Sequence, residues 1–454
     1  MLSRIAVLLP CFVAASQEWP GFRGQNLSGT SSETGLPVRF DAQTNVQWSI
    51  HVPVGRSSPV VTKNRVFLSA SNQNDLMVLA FDTRSGKKLW QYSLARSRRS
   101  EFDDRNNDPA SPTPTTDGQA LYSFFPDFGL IALSLEGKEL WKLPLGPFVS
   151  SYGMGSSPVV NGDTVFLQCD QTHGSYLIAV DKRTGEVKWR ANRPNVIEGW
   201  STPLVLPDRG ELITLGSSGV EAFDIKNGKS RWLVPAADGI MIPVPITDGK
   251  TLIATIRGSE QSVFPTWANT LAALDQNKDG KLVFHELEKR YHRNDFGIAD
   301  PDRDGYITEQ EWNRLRNRGV GEFGITCIRL DDRKVLWRHK RGLPYAPSPV
   351  LYQGLVYSVR NGGIITALDA GTGEVKKEAR APDAAGLYLA SPVAGDGKVY
   401  IASAEGKITV VNATAEWDVL AVNDLADGIT ATPAIADRAI FVRTQKKLYC
   451  FRQQ

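Results

Sequence analysis

Eight times along this chain a proline opens a short apolar run that breaks at a polar turn and resumes. That period restricts the fold more than any other feature. The prolines are Pro59, Pro114, Pro158, Pro203, Pro245, Pro349, Pro392 and Pro433, separated by 55, 44, 45, 42, 104, 43 and 41 residues. A unit in the low forties holding four short strands is a propeller blade, so the expected fold is an all-β, eight-bladed β-propeller. The second half of each unit agrees: Asp82 to Gly86 leads into Trp90, Asp181 to Gly185 into Trp189, and Asp224 to Gly228 into Trp232, while Gly137 precedes Trp141. An Asp and a Gly set a tight hairpin, and the Trp four residues later falls on the outer strand, where it fills the gap between blades. Two units depart from the pattern: Arg333 replaces the glycine before Trp337, and Lys377 stands where a tryptophan is expected. Asn45 to Val52, around Trp48, reads as an outer strand without inner ones, and Pro433 to Phe451 as inner strands without an outer one. Joined, they close the ring and remove its sheet edges.

Charge excludes some partners. The 454 residues carry 52 Lys and Arg against 49 Asp and Glu, a net +3, which argues against nucleic acid or an anionic membrane as ligand. Arg96, Arg98 and Arg99, and Arg314, Arg316 and Arg318, read as solvated loop and helix faces. Residues 1–16 combine Arg4 with an apolar run from Ile5 to Ala15 and small residues, the pattern of a secretory signal cleaved after Ala15 or Ser16. Pro10 before Cys11 makes a poor lipidation site, and no other stretch is apolar enough to span a bilayer. The mature chain is therefore expected in the periplasm or secreted, and as a monomer. Cys169, Cys327 and Cys450 remain as buried thiols, and Cys169 near His173 is assigned a structural role.

The 104-residue interval is about 61 residues longer than its neighbours and holds two tandem matches to the EF-hand calcium loop. The first supplies Asp275, Asn277, Asp279, Lys281 and Glu286, and the second Asp300, Asp302, Asp304, Tyr306 and Glu311. Oxygens at loop positions 1, 3 and 5 converge on a hard cation, position 7 donates its carbonyl, and Glu at 12 closes the shell. Gly280 and Gly305 at position 6 permit the turn. Leu282 and Ile307 at position 8 are expected to pair the loops. The starts lie 25 residues apart, which suits a compact, dockerin-like pair sharing a helix near Leu287 to Arg293. Val283 at position 9 leaves that place to water. The expected division is signal 1–16, propeller 17–257, calcium insert 258–322 in blade five, and propeller 323–454.

The insert leaves between the second and third strands of its blade, and the long interval at 95 to 110 follows an outer strand. Both open on one face, so the insert and the Arg98 to Asn107 loop are expected to flank one functional mouth. The residues four before each proline ring it: Gly55, Ala110, Met154, Gly199, Met241, Tyr345, Tyr388 and Ile429, with Tyr152 and Trp200 close by. Tyr152, Met154, Trp200, Met241, Tyr345 and Tyr388 are the candidates for holding a flat or apolar ligand; the other reading is that they plug a narrowing channel.

The repeat Asp181-x-x-Thr-Gly-x-x-x-Trp189 resembles that of pyrroloquinoline-quinone (PQQ) type propellers across nearly all of the chain except the insert. Trp19-Pro-Gly-Phe-Arg23-Gly-Gln-Asn26 resembles the start of many exported bacterial propellers of this kind. Two eight-bladed branches are implied: quinoprotein alcohol dehydrogenases and the non-catalytic propeller lipoprotein of outer-membrane protein assembly. The dehydrogenase branch implies PQQ as cofactor, a disulfide between adjacent cysteines against it, and haem in some members. This chain has neither a Cys-Cys pair nor Cys-x-x-Cys-His. The expectation is a calcium-binding, non-catalytic scaffold with a protein or glycan partner on the loop face. The alternative is a PQQ-dependent oxidoreductase using the channel.

Overall fold

The computed structural model describes residues 17–100, 107–237, 239, 241–262, 264–291, 296, 299–300, 304–317 and 320–453. The expected secretory signal, residues 101–106 of the long loop, and Asp302 of the second expected calcium loop lie outside the described residues.

Eight four-stranded antiparallel sheets form the blades. The third is typical, with strands Val159–Asn161, Thr164–Cys169, Tyr176–Asp181 and Val187–Asn192. Its two middle strands are buried almost throughout, whereas the outer strand alternates, because only one face of that edge meets a neighbour. The eighth sheet is composite: Val46–His51 pairs antiparallel with Lys447–Arg452, Trp48 opposite Cys450, so the chain's first strand closes the ring.

The blade junctions follow from the repeat. Asp181 Oδ1 accepts from the backbone nitrogens of Arg183 (2.9 Å) and Thr184 (3.2 Å), and Gly185 turns the hairpin at φ +76°. The indole of Trp141, from the preceding blade, lies flat on that hairpin, and its Nε1 donates to the Lys182 carbonyl at 2.9 Å. A Cβ on Gly185 would stand 2.8 Å from the ring, so glycine serves both the turn and the approach. Trp48, Trp90, Trp189 and Trp337 meet Gly86, Gly137, Gly228 and Gly373 in the same way, donating to Thr83, Leu135, Ile225 and Ala370.

Where the repeat departs, the junction changes chemistry. Arg333 stands where Trp232 would find a glycine, so that indole donates instead to Glu211 at 3.0 Å, with the Arg333 guanidinium above it. The disturbed junction is thus that of the preceding tryptophan, not of Trp337. Lys377 takes over the missing indole's donation, reaching the Trp417 carbonyl at 2.6 Å. Ala421 occupies the tryptophan position of the seventh blade, opposite Val410. That seam is filled by the amino-terminal segment: Phe40 is 2 % exposed and packs on Phe451, with its nitrogen held by Asn423 at 2.9 Å.

Around the inner ends, the residue before each repeat proline links blade to blade. The nitrogens of Ser58, Thr113, Ser157, Val244, Ser348, Ser391 and Thr432 each donate to the hydroxyl of the corresponding residue in the next blade, at 2.9–3.0 Å. One link is missing. Val244 offers Thr202 no hydroxyl.

Candidate functional site

The channel has two ends with different fates. A strand's start and finish lie on opposite faces, so the insert, after the second strand, and the hairpins between first and second strands mark opposite mouths. The hairpin mouth is crossed by residues 17–30. Trp19 pairs with Val61, its nitrogen 2.7 Å from the Val61 carbonyl, and the nitrogen of Thr116 donates to the Pro20 carbonyl. Gly29 and Ser31 join Ala394 on the far side. In the middle, the fully buried Arg23 donates to the carbonyls of Leu27 (3.0 Å), Ser348 (3.1 Å), Pro349 (2.6 Å), Pro392 (3.4 Å) and Ser28 (3.4 Å). Burial lowers its pKa to about 9, which leaves it a cation at neutral pH. A five-donor fork is the side chain suited to gathering carbonyls left open at inner strand ends. Arg23 lies outside every repeat, and its signal in the sequence is a lone basic residue in an aromatic and glycine-rich segment without strand pattern.

The loop face carries the candidate mouth residues. Met154, Met241 and Tyr388 are enclosed, Trp200 is 8 % exposed, and Tyr152 and Tyr345 are half-buried. They engage one another and the backbone. The Tyr152 and Trp200 rings lie 5.7 Å apart, Trp200 Nε1 donates to the Gly153 carbonyl at 2.6 Å, and the Trp200 nitrogen donates to Met241. Arg257 sits over the Tyr345 ring at 4.8 Å. Beneath them are buried charges. Arg193 holds both oxygens of Asp170 at 2.7 Å, and Arg443 binds the carbonyls of Pro53, Ser57 and Ser69. Burial raises the pKa of Asp108, against the opposing charges of Arg443 and Arg56. Arg98 turns inward to the carbonyls of Phe128 and Leu145, and Arg96 pairs with Asp127, so neither is a solvated face. Cys169, Cys327 and Cys450 are free and buried.

The insert leaves and returns at adjacent ladder positions, Ile256 opposite Gly324. Helix α1 (Trp267–Leu274) enters the first loop, α2 (Phe284–Leu287) leaves it, and α3 (Glu309–Asn317) follows the second. Of the helix expected near Leu287 to Arg293, residues 292–295 lie outside the described residues. Trp267, Leu282, Leu287, Ala299, Ile307, Trp312 and Leu315 form a core of their own. Leu282 and Ile307 exchange backbone hydrogen bonds at 3.3 and 2.8 Å, and both are fully buried. In each loop the first Asp accepts the position-6 glycine nitrogen, Asp275 from Gly280 at 3.0 Å and Asp300 from Gly305 at 3.1 Å. Asp279 accepts from Lys281 and Asp304 from Tyr306. Glu286 spans its loop to the nitrogens of Gln276 and Val283, and Glu311 caps Thr308. Among the described residues, no group of three or more His, Cys, Asp or Glu side chains is drawn together closely enough to hold a metal. The carboxylates are turned onto their own loop's nitrogens. Helix α3 brings Arg314 to a cleft of about 220 Å³ with Thr172, His173, Pro194, Val196 and Ile197, so the insert leans over the rim of the third and fourth blades.

A family model described as outer membrane protein assembly factor BamB matches residues 15–148, 78–240 and 319–454, leaving out most of the insert. The fold is similar to BamB from Moraxella catarrhalis, at 14% identity and TM-score 0.56 over 90% of this chain and 98% of that one. It is also similar to a europium-containing methanol dehydrogenase, at 13% identity and TM-score 0.60 over 94% of this chain and 89% of that one. The quinohemoprotein alcohol dehydrogenase of Comamonas testosteroni gives 14% identity and TM-score 0.60 over 96% and 81%. No curated protein matches the sequence. At these identities the solved structures share the fold with this chain. No helix among the described residues is long and apolar enough to cross a membrane.

Proposed function

Because the chain belongs to the family described as outer membrane protein assembly factor BamB, whose fold is shared with quinone dehydrogenases, we propose that it is an exported, non-catalytic scaffold. In this reading it binds calcium through its insert and a protein or glycan partner through its loop face. The observation that carries the reading is the packing of the mouth. Met154, Met241 and Tyr388 are each buried in the packing between neighbouring blades, Trp200 lies against Tyr152 and the Gly153 carbonyl, and Arg23 seals the opposite end. PQQ has no specific support in these residues: the adjacent cysteines that the dehydrogenase branch implies are lacking in the sequence.

Calcium fits better. Asp275, Asn277, Asp279, the Lys281 carbonyl and Glu286 would hold one ion, and Asp300, Asp302, Asp304, the Tyr306 carbonyl and Glu311 the second. The paired Leu282 and Ile307 already set the two loops side by side. The ion would draw in carboxylates that now cap nitrogens, ordering the insert beside the rim.

Two titrations of the purified mature chain test this. Calcium is expected to raise the melting temperature saturably, and Glu286→Gln with Glu311→Gln to abolish the rise. PQQ added with millimolar calcium is expected to leave its own absorbance unchanged. Saturable PQQ binding followed by dye reduction with simple alcohols would replace the scaffold with the dehydrogenase.

A further inference from the structure

Residues 17–30 form a strap over the hairpin mouth, and it engages only part of the ring. The residue two after each repeat proline holds one register position in its blade's first strand. Val61 stands opposite Val66, Thr116 opposite Leu121, Val160 opposite Val165, Val205 opposite Leu212, Thr247 opposite Leu252 and Ala394 opposite Val399. Alternate residues of an antiparallel ladder aim both main-chain groups away from the partner strand, and at this position they aim into the mouth. The strap takes them up at three blades. Val61 exchanges bonds with Trp19 at 2.7 and 2.9 Å, and the Thr116 nitrogen donates to Pro20 at 2.8 Å. Ala394 donates to Gly29 and accepts from Ser31, both at 2.8 Å. Leu351 and Ile435 lie in the apolar clusters that take in Leu27 and Leu36.

Val160, Val205 and Thr247 find no such main-chain partner among the described residues. Val159–Asn161 is half-exposed along its whole length, whereas Val60–Val61 and Thr115–Thr116 under the strap are buried. Beside the strap lie two cavities of about 400 and 500 Å³ that share Gln17, Gln25, Asn26 and Val205, and so form one trough from the second blade to the fifth. Its described lining carries Glu18, Asp117, Asp208 and Asp248 against one basic residue, Arg209, which Asp331 holds at 2.7 Å. Lys182 pairs with Asp117 at 2.8 Å, which leaves the excess at the other three carboxylates.

We propose that the trough binds an extended peptide of another protein, bearing basic side chains, which pairs with Val160, Val205 and Thr247 as the strap pairs with Val61, Thr116 and Ala394. The strap itself shows the occupant, because extended main chain is what this mouth already accepts at the same register position. Main-chain bonds supply affinity, and the carboxylates select basic side chains. The trough lies on the mouth opposite the loop face, so it stands independently of the calcium and loop-face reading.

The probe is acetyl-(Lys-Val)4-amide, titrated into the full chain at low salt and followed by residue-resolved amide hydrogen exchange. Before peptide is added, the amides of Val160, Val205 and Thr247 are expected to exchange faster than those of Val61, Thr116 and Ala394. Saturating peptide is expected to slow the first three. Methylating the peptide's backbone nitrogens is expected to weaken binding about tenfold or more. Glu18→Lys with Asp208→Lys is expected to weaken it about fivefold, and Glu186→Lys on the outer rim to leave it unchanged. Melting temperatures verify that these variants fold. Absence of protection at millimolar peptide overturns the proposal. So does equal binding of the methylated peptide, which would leave charge alone as the attraction. Protection produced by a neutral oligosaccharide, or by raising the protein's own concentration, also overturns it, assigning the trough to a glycan or to a second copy of this chain.

Discussion

Arg23 shows how much one side chain carries here. It joins the strap to the sixth and seventh blades through main-chain acceptors alone, so Arg23→Met strands buried carbonyls as well as losing a cation. Denaturant unfolding is expected to read a loss of about 3 kcal/mol or more. Val244 makes the opposite case. A hydroxyl there would receive the Thr202 nitrogen and complete the ring of inner links, so Val244→Thr is expected to be neutral or stabilising by up to about 1 kcal/mol. At Val165, equally buried within a strand, the same change is expected to destabilise by about 1–2 kcal/mol. Equal losses at both sites would refute the account. The proline repeat is plain in sequence, yet the hydroxyl before it gains meaning only when neighbouring blades bring successive copies within 3 Å of each other.

Among the elements, the Asp-to-Gly hairpin does two tasks that separate cleanly. Gly185→Ala meets both an unfavourable φ and the Trp141 ring, and its expected cost is about 2–4 kcal/mol. Gly162 also has positive φ but nothing within 4 Å, so Gly162→Ala is expected to cost only about 1 kcal/mol. The hairpin aspartates add a pH signature. Backbone donors lower Asp181 and Asp369, and hydroxyl or guanidinium donors lead at Asp82 and Asp224. A carboxyl whose folded pKa is depressed contributes stability above its unfolded value and loses it as pH falls through the folded one. The melting temperature is therefore expected to fall as pH drops below about 4, and Asp181→Asn to flatten that limb. Residue spacing made the hairpin legible. Which blade's tryptophan it serves was not, because that contact joins residues some 40 positions apart in different sheets.

For the whole molecule, the insert is an excursion from one ladder position to the next. Replacing residues 258–322 with a short Gly-Ser turn is expected to leave the propeller's far-UV spectrum and cooperative melting intact, since Ile256 and Gly324 are already paired. The calcium-dependent rise in melting temperature should vanish. Collapse of the propeller on excision would make the insert part of the core rather than a module on its rim.

The sequence by itself determined the blade number, the composite closing blade and the place of the insertion, because each is written in local period and turn chemistry. The two acidic loops of the insert are also legible locally, since the residues of each pattern fall within twelve consecutive positions. Only the tertiary structure decided that the amino-terminal segment seals one mouth and fills the seam at Ala421. It also decided that Met154, Met241 and Tyr388 at the other mouth are buried between neighbouring blades. These outcomes depend on surfaces that exist only once eight blades stand in a ring, and no pattern within a single repeat encodes them.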